Sequence, residues 1–445
     1  MATPHAILLL CLVPAPQAPQ APSWHTEQVG GIAVHVLQVT DAPVQTVFTF
    51  LPTGLATDPA DRAQFAHLAE HMLIRSTDPT RLQVGGIRLN GETTGEAMRL
   101  ESVAPPDSWR PALVRHMRWL TARQFDPKVL EREKVRIAGE ERATAPRGFN
   151  HKWAIAAWAQ LLAGRDHAAV HGDVAAATVA QVAAYVRGRV RLSEARMMVT
   201  GPRAPAEVVA ALREEWKAIS APAGAAEPQE RTAPSASATP SKSGPQNGAP
   251  RHTAATWDLP AEIYAAWYPL PVDCSAAEAE VLATLLTTAC FGARAFRDLP
   301  GRALASALSR GGRRYLMVSA TPSRELDDAA LHREIDAAAA RLPGLAMMQS
   351  GGMLARLVDP VPDFAAQRRA VPNARSREMV EAQFGMQCGY AVIRLGVPLD
   401  RAAAEYRAVA RARLVALAKT CTPANRHSAR WRSREARQAP PHKVR

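Results

Sequence analysis

From Gly30 the chain alternates apolar and polar residues through GGIAVHVLQVT, and it repeats the pattern through VQTVFTFLP after Asp41, Ala42 and Pro43. Period-two alternation on either side of a turn predicts two strands. After Asp58 and Pro59 the apolar spacing lengthens and predicts a helix over 61–75. Gly, Asn and Thr then punctuate short extended stretches in VGGIRLNGETTGEAMRLESVAP, and helical periodicity returns over 107–124 and 127–143. The second of these opens with Asp126 as a cap and Pro127 at the first helical position, a strong start signal. Further helices fit 150–163 and 174–188, before a strand, ARMMVTG, and a helix, APAEVVAALREEWKAI.

Between 221 and 255 large apolar residues give way to Pro, Ser and Ala, the composition of a flexible linker with a reach on the order of 30 Å. The pattern then restarts with a strand, AEIYAAWYPLP, a helix, SAAEAEVLATLLTTA, a strand near RRYLMVSATP and a helix over 326–342. Both halves open strand-then-helix, which hints at a duplicated unit.

The chemistry sits on the first helix. In AQFAHLAEHML, His67, Glu70 and His71 form H-x-x-E-H. At 100° per residue these three share one helix face, while Phe65, Leu68 and Met72 fall on the other. Two imidazoles at i and i+4 can point at one ion, with the glutamate beside it where a water would sit. The plain alternative is a pair of solvated or core histidines. A catalytic zinc needs a third protein ligand. On the helix PKVLEREKVRIAGEE, Glu133 and Glu140 lie within about 20° of each other, inside the stripe of Val129, Leu130 and Ile137. A carboxylate facing a core must find a proton or a cation, either a metal ion or an arginine such as Arg99.

Length, charge and cysteines bound the rest. The 445 residues imply more than one domain, and the formal charge of +13 is spread widely but enriched at the C-terminal end, read as a basic, disordered tail over 426–445. No nucleic-acid module accompanies that charge. Five cysteines without a CxxC pair indicate buried thiols rather than a disulfide framework. The apolar run from Ala6 to Val13, followed by Ala, Pro and Gln, has the shape of a secretory leader over 1–23, and no segment is long enough to span a membrane. Secretion or a periplasmic location follows if the leader is cut, a cytoplasmic one if it is not.

The sequence His67-Leu-Ala-Glu70-His71, followed by Glu133 and Glu140, resembles the inverted zinc motif of the pitrilysin/insulinase-type metallopeptidases. The approach GGIAVHVLQV…FLPTGLATDP and the segment LNGETT, similar to the family's Asn-Ala-x-Thr, extend the likeness over roughly 28–220. The resemblance implies an α+β fold of two related sandwich halves in a clamshell arrangement. These are a catalytic domain over 24–220 and an inactive one over 256–425. It implies a single Zn2+ held by His67, His71 and Glu140, with Glu70 activating water and Glu133 supporting the site. Asn90 and a second-half pair, for which Arg310 and Tyr315 are the available residues, would bind substrate, although their spacing departs from the family's and Gly91 replaces its alanine. The implied activity is endopeptidase cleavage of extended oligopeptides or unfolded polypeptides, taken up as an added strand along TGEAMRLESV. The alternative is a non-catalytic or partner-dependent subunit working with a homologous chain.

Overall fold

The alternating segments become strands of two sheets in the computed structural model, which describes residues 23–76, 83–84, 86–144, 151–165, 170–220, 252–257, 262–291, 303–321, 326–348, 364, 368, 370–371 and 373–433. The expected leader, except for residue 23, lies outside these residues, as do 221–251 and 434–445.

The first sheet contains β1 (His25–Val29), β2 (Ile32–Gln38), β3 (Gln45–Leu51), β4 (Gln83–Val84), β5 (Ile87–Thr93), β6 (Met98–Ala104) and β7 (Arg196–Gly201), in the order β1-β2-β7-β3-β6-β5-β4. Helices α1 (Phe65–Arg75), α2 (Trp109–Thr121), α3 (Pro127–Thr144), α4 (His151–Leu162), α5 (Val170–Ala175), α6 (Val179–Arg189) and α7 (Pro205–Ser220) complete the first half. Asp126 caps α3 as its sequence predicts, its Oδ1 accepting from the Lys128 amide at 2.8 Å. The second sheet contains β8 (His252–Trp257), β9 (Ile263–Pro269), β10 (Ala303–Arg310), β11 (Arg313–Ala320) and β12 (His427–Ser433), in the order β10-β11-β9-β12-β8. It is accompanied by α8 (Ala276–Phe291), α9 (Asp328–Met348), α10 (Ala374–Leu395), α11 (Leu399–Arg407) and α12 (Arg411–Ala418).

The two sheets share one plan. Strands β2, β7, β3, β6 and β5 correspond in order to β8, β12, β9, β11 and β10. The first pair in each set is parallel and the others are antiparallel. The architecture is α+β, with the duplicated unit visible strand by strand.

This correspondence corrects two readings. Strand β12 occupies the expected tail, and β8 begins within the expected linker. Along β12, Ala429 and Trp431 enter an apolar core, while Arg430 points the other way and stays buried by pairing with Glu262 at 2.7 Å and Asp328 at 2.8 Å. Counting its arginines as solvated charge hides that alternation, because their carboxylate partners are far away in sequence. Likewise TGEAMRLESV is no sheet edge: β6 pairs with β3 on one side and β5 on the other.

Each half also covers the other's sheet. Helix α4 of the first half lays Trp153, Ile155 and Trp158 on Ile263, Trp267, Tyr315 and Trp431 of the second sheet. Helix α10 of the second half lays Phe384 and Cys388 on Phe48, Phe50 and Met198 of the first. The close approach requires Gly389, where a Cβ would stand 2.0 Å from the Phe50 ring. The halves therefore close on each other with the intervening space filled by helices. Cys274, Cys290, Cys388 and Cys421 are buried and form no disulfide with one another. Among the described residues no helix is long and apolar enough to cross a membrane.

Candidate metal centre

Helix α1 is buried along its whole length, packed between β5 and α3. Its apolar face can join the first-sheet core without trouble, but the polar face must be satisfied by neighbours. At the N-terminus Gln64 takes a left-handed conformation (φ 63°), and Asp58 accepts both the Ala66 amide at 3.0 Å and the Tyr185 hydroxyl at 2.6 Å. Full burial pushes the Asp58 carboxyl up to about 7, against the pull of these bonds. One turn on, the site begins.

His67 Nε2 and His71 Nε2 lie 3.5 and 3.6 Å from the same oxygen, Oε2 of Glu140 on α3. Ligand atoms of the three residues all lie within 4.8 Å of one another. Four ligands about 2 Å from a tetrahedral zinc stand about 3.3 Å apart, so the donor set, two imidazoles and a carboxylate, fits that ion in chemistry and spacing. His71 Nδ1 is 3.0 Å from Oε2 of Glu133, which is wholly buried and has Arg75 and Arg136 at 3.7 and 3.4 Å. Glu133 thus fixes the His71 ring so that its other nitrogen faces Glu140. The arginine proposed as an alternative partner, Arg99, is engaged elsewhere, with Glu92 and Glu101.

The electrostatics favour a cation at this point. Burial alone would lower the His71 pKa, but the carboxylates of Glu133 and Glu140 outweigh it and raise it to about 9. Burial holds His67 down at about 3, against its bond to Glu140. Burial would raise the Glu140 carboxyl, yet both imidazoles hold it well below the usual carboxylate range. The carboxylates around His71 therefore favour positive charge where the three donors converge, a charge that a divalent ion can supply instead of a proton.

Glu70 stands beside this point. Its Oε2 accepts from Thr93 Oγ1 at 2.7 Å, and burial raises its carboxyl while His71 and Thr93 pull it back. Gly91 leaves it room, since a Cβ there would meet Glu70 Oε1 at 2.6 Å and Ile74 Cδ1 at 2.6 Å. The departure from alanine at this position thus accompanies a glutamate held tightly against β5. A cavity of about 240 Å³ opens over these groups, and Asn90, Glu92, Arg136 and Lys152 contribute to its walls.

Arg310 and Tyr315 do not line that cavity. Arg310 donates to the carbonyls of Ala56 and Asp58, and Tyr315 stands edge-on to Trp158, 5.3 Å between ring centroids. Both are used to join the halves. Conversely Thr93, Arg75 and Lys152 belong to the site and were not singled out by the sequence. Thr93 lay within the LNGETT segment, but nothing in the spacing of Lys152 connects it to α1.

Solved structures share this fold. A protease from Helicobacter pylori superposes with a TM-score of 0.62 at 14% identity, over 92% of this chain and 100% of that one. The M16 inactive domain from Pseudomonas fluorescens gives 0.53 at 13%, over 92% and 98%. Pitrilysin gives 0.56 at 12%, over 93% of this chain but 45% of its own length. No protein-family model matches the chain, and no curated protein matches it.

Proposed function

Taking the fold of the M16 peptidases as premise, we propose that this chain is a zinc-dependent endopeptidase acting on extended or unfolded polypeptides. The observation that carries the reading is the convergence of His67, His71 and Glu140 within 4.8 Å, with the buried carboxylate of Glu70 beside them. When bound there, zinc supplies Lewis acidity that polarises the scissile carbonyl and acidifies water. Glu70 takes the proton from the attacking water and passes it to the leaving amine as the carbon–nitrogen bond breaks. Its upward-shifted carboxyl suits both halves of that transfer. Glu133 keeps the His71 ring oriented. Beyond the short pairing of β4 with Ile87 and Arg88, β5 runs past Glu70 to Thr93, which supports uptake of a peptide as an added strand on that side.

Two observations favour a partner-dependent variant of this reading: the chain spans 45% of pitrilysin, and Arg310 and Tyr315 are placed away from the cavity. The test is zinc content and a peptide-library digest with and without a chelator. About one zinc per chain and chelator-sensitive cleavage are expected. A chain without zinc removes the proposal, and cleavage that appears only on adding a second homologous chain selects the partner-dependent form.

A further inference from the structure

The cavity over the three convergent donors has one cationic wall residue that the metal reading leaves without a task. Arg75 and Arg136 lie against Glu133 at 3.7 and 3.4 Å. Lys152, at the start of α4, has no carboxylate partner among the described residues. Its Nζ sits over the Trp153 ring, 4.2 Å from the centroid. Trp153 in turn lies 5.6 Å from the His67 ring, ring to ring. The ammonium is thus held at the cavity wall by an aromatic face, and its charge is felt at both His67 and Glu70. Lys152 therefore lines the same cavity as His67 and Glu70, and a substrate carbonyl attacked there enters the reach of its charge.

Peptide hydrolysis places a full negative charge on that carbonyl oxygen. As water oxygen bonds to the carbonyl carbon, the π pair moves onto the oxygen and the water proton moves to Glu70. The pair then returns as the C–N bond breaks and the amine takes the proton. A donor preorganised toward that oxygen contributes more to the transition state than to the bound amide. Arg310 and Tyr315 do not line the cavity to provide one. We infer that Lys152 is a catalytic residue of this chain, binding the scissile carbonyl oxygen and the negative charge that develops on it. The inference rests on the peptidase reading above.

The experiment uses the full zinc-loaded chain with Lys152→Met, which keeps length and loses charge, and Lys152→Arg, which keeps charge. Zinc content is measured first in each. With zinc retained, the methionine variant should lose about 10²-fold in kcat with little change in KM for an internally quenched peptide, and the arginine variant should recover part of the loss. Calorimetry with a phosphinic pseudopeptide, whose tetrahedral anion mimics the charged oxygen, should show a comparable loss of affinity in the methionine variant even if cleavage requires a partner chain. Equal affinity of wild type and Lys152→Met for the phosphinate overturns the inference. So does a loss confined to peptides with a free C-terminal carboxylate, which would make Lys152 a reader of substrate charge. A wild-type chain devoid of zinc sinks the metal reading, and this inference with it. That failure is distinct because it appears in the metal assay before any variant is compared.

Discussion

Helices α1 and α8 occupy the same place in chain order in the two halves, α1 between the corresponding strands β3 and β5 and α8 between β9 and β10. Yet α1 carries His67, Glu70 and His71, whereas α8 offers Val281, Leu282, Leu285 and Leu286 to its core. The sheets alone do not account for the difference. The polar face of α1 is sustained by groups brought to it from outside the helix, namely Thr93 on β5 and Glu133 and Glu140 on α3. A frame can be copied without its chemistry, because the chemistry depends on neighbours that the frame does not specify.

The sharpest way to test that contrast is Glu70→Gln. Zinc should remain while cleavage falls by about 10³-fold or more, read as metal content against turnover of one peptide. Normal turnover would show that the polar face of α1 is not the reacting one. Next in size is Glu133→Gln, which leaves every proposed ligand in place but removes the negative charge that holds the His71 ring. Zinc affinity should weaken by roughly 10–100-fold in a competition titration, and an unchanged affinity would mean that α1 needs no support from α3.

The reciprocal helices allow a second comparison. Trp158→Ala on α4 should cost the protein about 3–5 kcal/mol, and Gly389→Val on α10 about 1–3 kcal/mol by overpacking against Phe50, both read from denaturant midpoints. If either variant destabilises only one half in hydrogen exchange, the exchange of cover between halves is not what holds them together.

A pH-dependent test concerns His116, buried in the first half between Thr49 and Ser102 at 2.8 Å each. Burial lowers its pKa from 6.5 to about 3. The unfolded chain therefore binds a proton that the folded chain refuses, so the stability it contributes is full above pH 6.5 and declines as pH falls toward 3. The stability gap between wild type and His116→Gln should narrow over that window by at most about 1.4 kcal/mol per pH unit. A constant gap would place the proton elsewhere.

Much of this was legible in the sequence, for reasons that follow from range. The H-x-x-E-H face and the carboxylates seven residues apart on α3 repeat at helical spacing, so local periodicity exposes them. The start of α3 was equally plain from Asp126 and Pro127. What escaped were features defined by distant partners. Strand β12 looked like a charged tail because Glu262 and Asp328 are 168 and 102 residues away from Arg430, and only their approach lets Arg430 be buried. Arg310 and Tyr315 were chosen by resemblance, as the available residues near the family's pair, and their surroundings, the carbonyl of Ala56 and the ring of Trp158, belong to the other half. Lys152 gave no local signal either, since what marks it is the cavity it shares with α1.

The crossing of α10 onto the first sheet has a consequence for biosynthesis. Phe48, Phe50 and Met198 are made early, but the residues that shelter them, Phe384 and Cys388, emerge from the ribosome nearly two hundred residues after Met198. Until then the nascent first half presents an aromatic sheet face to its surroundings, so the ribosome-bound chain is a natural client for a holding chaperone.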